Sequence, residues 1–180
     1  MKRTFDILFS LIALIIFAIP MSFISLWLKL VEKHPVIFRQ QRIGLHKQPF
    51  AVLKFQTLVD DEPTPMGRIL RKTGLDELPQ FINVLWGEMS IVGPRPLTPY
   101  DIERLEWHDE FYATRWHVKP GITGLAQIYG GQHKKLSWFW DQKYIEVGTV
   151  PLDFVLVLVS FAMNLFGKAR VRRLLLSLRR

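Results

Sequence analysis

The sequence predicts a mainly α fold with one short β-hairpin: a membrane-associated α+β domain whose first and last stretches meet the lipid. Three observations carry this. An uncharged run of 22 residues, Ile7–Leu28, stands near the start. Two strand-forming runs follow, separated by a hexapeptide containing Gly and Pro. Apolar residues then recur at helical spacing up to a second apolar stretch, which ends in basic residues. At 180 residues, 49% of them apolar, the chain suits one compact domain with appendages. It contains no cysteine, which excludes disulfide scaffolds, thiolate metal sites and cysteine nucleophiles together.

The net charge of +8 is unevenly placed. Residues 29–54 carry six Lys and Arg against Glu32, residues 168–180 carry six with no acid, and residues 55–167 are net acidic. A nucleic-acid binder would place its excess in the folded body, so no nucleic-acid partner is expected. Basic residues flanking apolar segments point to anionic membrane lipids instead.

Taken in order, Ile7–Leu28 as a straight helix is about 33 Å long, just enough to cross a bilayer. Ala18-Ile19-Pro20-Met21 lacks the small-x-small spacing of a cleaved signal. Both flanks are basic, which is awkward for a spanning helix. Pro20 has no N–H for the Ile16 carbonyl, so a bend is expected there, with Ser22 or Ser25 as partners for the freed carbonyl. These residues leave a spanning and a re-entrant helix equally open.

Residues 36–43 and 50–55 read as a β-hairpin, and Asp60–Pro65 as an acidic loop. A helix starts at Met66, and a helical stripe at positions 78, 81, 82 and 85 predicts another over Asp76–Trp86. Rigid turns follow at Gly93–Pro96 and Pro120–Gly124, and Pro99–Val118 reads as one aromatic-rich helix. Val150–Phe166 is marginal as a crossing because of Asp153 and its length, and is expected to lie on the surface or insert shallowly. The expected divisions are a membrane helix at 1–34, a catalytic domain at 35–149 and a basic interfacial helix at 150–180.

The chemistry concentrates in Arg71-Lys72-Thr73-Gly74-Leu75-Asp76-Glu77-Leu78-Pro79-Gln80. A plain helix start, with Asp76 as cap, accounts for the pattern. The functional reading is that Arg71 and a helix N-terminus keep Asp76 ionised beside phosphate oxygens, so that a carboxylate attacks phosphorus. Anion attacking anion requires a divalent cation, and the hard oxygens of Glu77 and Asp76 suit Mg²⁺. Arg95, held between Pro94 and Pro96, is a preorganised phosphate fork, and Lys54 and Thr57 at the hairpin's end are further phosphate candidates. The five His residues show no close-spaced zinc pattern.

Together and in order, several strings resemble the bacterial sugar transferase family, the small monotopic polyprenyl-phosphate phosphoglycosyl transferases. They are Arg3-Thr4-Phe5-Asp6 before the apolar run with Pro20, Pro35–Gln40, Lys54-Phe55, Arg71–Gln80, Gly87–Ser90, Val92–Pro96 and Lys119–Gln127. The resemblance runs from about Arg3 to Asp153. It implies transfer of a sugar-1-phosphate from a UDP-sugar to undecaprenyl phosphate, releasing UMP, as the first membrane step of glycan assembly. It further implies that Asp76 forms a covalent phosphosugar ester, that Glu77 binds Mg²⁺, and that Arg71 and Arg95 hold phosphate. Gln127, in the last string, joins Lys54 and Thr57 as a candidate contact. The family's first helix is re-entrant, which places the protein on the cytoplasmic face of the bacterial inner membrane. Downstream glycosyltransferases or a second copy of the chain are candidate partners.

The chain departs from the family pattern in four places. Gln56 stands where a base is usual, Ile128–Gln132 lacks the family's Arg, Ile19 replaces the Ser before the bend proline, and the stretch between Trp138 and Asp141 is short. These departures motivate a second reading, a non-catalytic membrane-surface scaffold of the same fold, against which the retention of both Asp76 and Glu77 argues.

Overall fold

The computed structural model describes residues 1–130 and 134–177. Arg179, Arg180 and the departure at Gly131 and Gln132 lie outside the described residues. The chain is mostly helical with three two-stranded sheets among the described residues, an α+β arrangement.

Helices α1 (Lys2–Ile16) and α2 (Ala18–Leu30) meet at 61°. No single described helix is long and apolar enough to cross a membrane, although this pair has the length and composition together. The break falls at Phe17, not at Pro20. The proline's missing N–H and its ring both act on the carbonyl four residues back, so the disturbance lands one turn upstream. Ser25, expected as a partner for that freed carbonyl, instead donates to the Met21 carbonyl at 2.7 Å, inside its own helix.

The N-terminal motif acts as an anchor. Lys2 Nζ donates to Asp153 Oδ2 at 2.6 Å and to the Val92 carbonyl at 3.0 Å. Arg3 donates to the Val84 and Leu85 carbonyls at the end of α4 (Gln80–Trp86). Asp6, almost fully buried, accepts from Ser90 Oγ and the Ile91 N–H at 2.9 and 3.0 Å. Three polar residues in the first two turns thus fix α1 to the folded body. The opposite flank leaves Leu8, Ile12, Ile15 and Ile16 exposed.

Strands β1 (Ile37–Ile43) and β2 (Pro49–Phe55) form the expected antiparallel hairpin, with Lys54 opposite Phe38. The acidic segment is more ordered than a loop: β3 (Leu58–Val59) pairs with β4 (Glu62–Pro63) around Asp60 and Asp61. Both aspartates have positive φ, 49° and 62°. Such a two-residue turn matches the right-handed strand twist, and Asp tolerates that backbone.

Helix α3 (Pro65–Thr73) starts at an N-cap in which the Gly67 N–H bonds Thr64 Oγ1. It ends at Gly74, whose φ of 74° suits a residue without Cβ. The helix expected from Asp76 onward is broken: a 3₁₀ turn spans Leu75–Glu77, and α4 begins only at Gln80. Pro79 cannot donate to the Leu75 carbonyl, which takes the Leu78 N–H instead in a tighter turn. The single helix expected over Pro99–Val118 is also two elements. Helix α5 (Pro99–Leu105), opened by a Thr98–Asp101 capping box, stops at Glu106 with φ 54°. A 3₁₀ stretch over Glu110–His117 follows. The break turns Trp107 inward, where it packs with Trp116, Tyr112 and Trp138.

Strand β5 (Ser90–Val92) pairs in parallel with β6 (Gly121–Thr123), drawing the two rigid turns together. A Cβ on Gly93 would stand 2.4 Å from the Lys119 carbonyl oxygen, and one on Gly121 would stand 2.0 Å from the Gly93 nitrogen. Only glycines permit this approach. After a π-helical turn at Ala126–Gly130 come α6 (Lys134–Val147), α7 (Val150–Phe166) and α8 (Lys168–Ser177). Helix α7 packs Leu156 and Met163 into the main core with Val52, Val84, Met89, Ile91 and Tyr144, while Phe154, Val155, Leu158, Phe161 and Leu165 face outward. Its Asp153 is fully buried and accepts from Lys2 and from the Tyr144 hydroxyl.

Candidate active site

A cleft of about 1100 Å³ opens between the hairpin, the 3₁₀ turn and the end of α7. Lys54, Thr57, Arg71, Asp76, Glu77 and Arg95, all singled out in the sequence, line it. Gln127 lies outside it, in an adjoining pocket of about 200 Å³ that shares Lys54, Glu77 and Arg95. There its amide Nε2 faces the Gly93 and Gly121 carbonyls at 3.4 and 3.3 Å.

The local fold explains how Asp76 becomes available. Because Gly74 ends α3 and Pro79 delays α4, residues 75–77 form a short turn whose carboxylates cap no helix. Both Asp76 and Glu77 are half-buried. Lys54 Nζ donates to Glu77 Oε1 at 2.7 Å, so the strand's lysine bonds a carboxylate. Burial raises the Asp76 pKa above the usual carboxylate value, and the neighbouring Glu77 charge adds to this. Lys54 and Arg71 oppose the rise. The carboxylate that would attack is therefore harder to ionise than a free one, beside a like charge that a divalent cation would relieve.

The donor set fits Mg²⁺: two adjacent carboxylates, one with an oxygen not taken by Lys54, facing a cleft with room for phosphates. No cluster of three or more His, Cys, Asp or Glu exists among the described residues.

The Arg95 turn is braced from behind. The Arg95 carbonyl accepts from Arg115 Nη2 at 2.9 Å, and the same nitrogen donates to Asp141 Oδ2 at 3.1 Å. Arg115 is 3% exposed and lies against the Trp107 and Trp116 rings, with centroids 5.0 and 4.7 Å away. Burial pushes the Asp141 carboxyl up to about 6, despite Arg115 beside it. Arg95 itself is exposed at the cleft.

Several lining residues escaped sequence reasoning. Arg42 donates to the Pro96 carbonyl at 3.0 Å and faces Asp101 at 3.4 Å, tying the hairpin to the Arg95 turn. Gln80 is buried, and its Nε2 lacks a hydrogen-bond partner among the described residues. Asn164 and Lys168 reach both cavities from α7 and α8. Arg42 and Lys168 are single bases in basic stretches, and Asn164 is a lone amide in an apolar helix, so none carries a local motif. Gln80 closes the Asp-Glu string and could have been flagged. Gln56 folds back to donate to the Leu58 carbonyl.

The family model described as bacterial sugar transferase matches residues 1–167. The chain belongs to that family. It is similar to the UDP-glucose:undecaprenyl-phosphate glucose-1-phosphate transferase of Escherichia coli, 38% identical over 190 residues, covering 94% of this chain and 41% of that protein. It also resembles the uncharacterized sugar transferase EpsL of Bacillus subtilis, 39% identical over 150 residues, covering 77% of this chain and 72% of EpsL. Exopolysaccharide production protein ExoY of Sinorhizobium fredii is 32% identical over 187 residues, covering 87% of this chain and 81% of ExoY. The chain thus spans less than half of the Escherichia coli relative.

Proposed function

We propose that this protein is a phosphoglycosyl transferase that moves a sugar-1-phosphate from a UDP-sugar to undecaprenyl phosphate through an ester on Asp76. The supporting observation is a single cleft in which the Asp76–Glu77 pair faces Lys54, Arg71 and Arg95. In the first displacement an Asp76 carboxylate oxygen bonds to the β-phosphorus while its bond to the bridging oxygen breaks, and UMP leaves. In the second, an oxygen of the lipid phosphate bonds to that phosphorus and the aspartyl ester bond breaks, giving the polyprenyl-diphosphate sugar and restoring Asp76. Arg71 and Arg95 hold phosphate oxygens in line, and Lys54 keeps Glu77 oriented. Glu77, with Asp76, would hold Mg²⁺, which supplies charge neutralisation between two anions. Relatives named for glucose-1-phosphate, galactose phosphate and N-acetylgalactosamine phosphate transfer differ in the sugar.

The α1–α2 pair reads as a re-entrant helix of a monotopic protein on the cytoplasmic face. Lys2, Arg3 and Asp6 tie its start to the folded body, while Leu28 is buried and Glu32 accepts the Met66 N–H at 2.9 Å at its end. These contacts at both ends support the reading that the pair enters and leaves the membrane on one side, with the apolar elbow between them. A scaffold without catalysis leaves the half-buried Asp–Glu pair in the cleft without a purpose. The purified chain in detergent, given undecaprenyl phosphate, Mg²⁺ and each of a panel of UDP-sugars, is expected to release UMP with at least one. Asp76→Asn is expected to abolish that release, and retention of more than a trace would remove Asp76 as nucleophile.

A further inference from the structure

The cleft has one wall that the transfer chemistry above leaves unused. It is the elbow between α7 and α8, where Met163–Lys168 line the side facing the Asp76 turn. The elbow is held close to that turn: a Cβ on Gly74 would stand 2.7 Å from Asn164 Nδ2. Gly167, at φ 87° and ψ 138°, then redirects the chain. Leu165 and Phe166 are left 64% and 59% exposed, and Lys168 lines both cavities. The described residues include no carboxylate ion-paired with Lys168, whereas Lys54 and Arg42 both face one. Phe166 also lines a groove of about 470 Å³ together with Val171, Leu174, Arg170 and Arg173.

Charge and apolar surface therefore meet at one point of the cleft rim. A ligand matching it carries a phosphate joined directly to a hydrocarbon chain. A nucleotide sugar has no such chain. We propose that the α7–α8 elbow receives the acceptor lipid: Lys168 takes its phosphate, and Leu165, Phe166 and the groove beyond take its first prenyl units. This rests on the transfer reaction proposed above. The nucleotide sugar is thereby left to Arg71 and Arg95, which line the same cleft.

The test separates the two displacements in the full-length protein reconstituted in phosphatidylcholine vesicles. Loading is read as single-turnover UMP release without acceptor, and transfer as turnover against undecaprenyl phosphate concentration. Lys168→Ala is expected to raise the acceptor KM about tenfold, the loss of one charge-assisted contact to an anion, with little change in kcat and none in the loading step. Lys168→Arg restores the acceptor KM, and Phe166→Ser raises it. An unchanged acceptor KM in Lys168→Ala overturns the proposal, and so does an equal slowing of loading. An effect seen only when anionic lipid is added assigns Lys168 to the bulk membrane surface and also overturns it. Wild-type protein that loads no sugar phosphate, or passes none to undecaprenyl phosphate, refutes the reaction itself. The Lys168 outcomes are read only against a working wild type, so the two failures are distinct.

Discussion

At the residue scale the electrostatics of one turn govern the chemistry. In the proposed mechanism Asp76 reacts as the anion, yet burial and Glu77 both favour its protonated form, while Lys54 and Arg71 pull the other way. Its folded pKa lies above the usual value, so the reactive form is lost as pH falls through that raised value. Lys54→Met removes one restraining cation. The acid limb of the loading rate is then expected to move to higher pH, which a pH profile of single-turnover UMP release measures, and a limb that stays put would show that Lys54 does not act on Asp76. Asp76, Glu77, Arg71 and Arg95 were legible because each sits in a contiguous string whose residue types imply anion chemistry. Arg42, Asn164 and Lys168 were not, since only tertiary folding brings isolated polar residues to a cleft from elements far apart in the chain.

At the scale of elements, buried ion pairs hold the parts in register. Arg115 and Asp141 are each almost fully buried, and Arg115 also carries the backbone of the Arg95 turn. Removing one partner strands the other charge in a low-dielectric core. Asp141→Ala is therefore expected to destabilise the fold by about 3–5 kcal/mol. Chemical unfolding in detergent measures it, and a change under about 1 kcal/mol would mean that the pair is dispensable. The hairpin and the helical character of most segments were readable from periodicity. The breaks at Leu75–Glu77 and Glu106 were not. Apolar spacing continues through both, whereas a missing proline N–H and the inward turn of Trp107 interrupt the hydrogen-bond ladder. Asp153 looked like a liability for an apolar helix until Lys2 and Tyr144 supplied its partners from distant parts of the chain.

At the scale of the whole molecule, α1, α2 and α7 leave apolar flanks exposed and the chain's ends are basic, a pattern that suits a lipid surface, and the proposed re-entrant arrangement would set the cleft at headgroup height. Because the chain has no cysteine, single thiols report topology without background. Thr4→Cys and Lys33→Cys are both expected to resist an impermeant maleimide applied to intact spheroplasts and to react after permeabilisation. Labelling of only one before permeabilisation would mean that the pair crosses the bilayer. Pro20 made a bend readable from sequence, while the tether of Lys2, Arg3 and Asp6 joins residues far apart in the chain and is seen only in the fold. The central claim is that the sugar phosphate rests on residue 76 between two solvents. Its most direct measurement is the intact mass of the protein after incubation with individual UDP-sugars and Mg²⁺ in the absence of acceptor. The account predicts a gain of one sugar-phosphate, mapped by fragmentation to Asp76, absent in Asp76→Asn and discharged by undecaprenyl phosphate. Acceptor-dependent turnover with no such adduct, or an adduct on another residue, would contradict it.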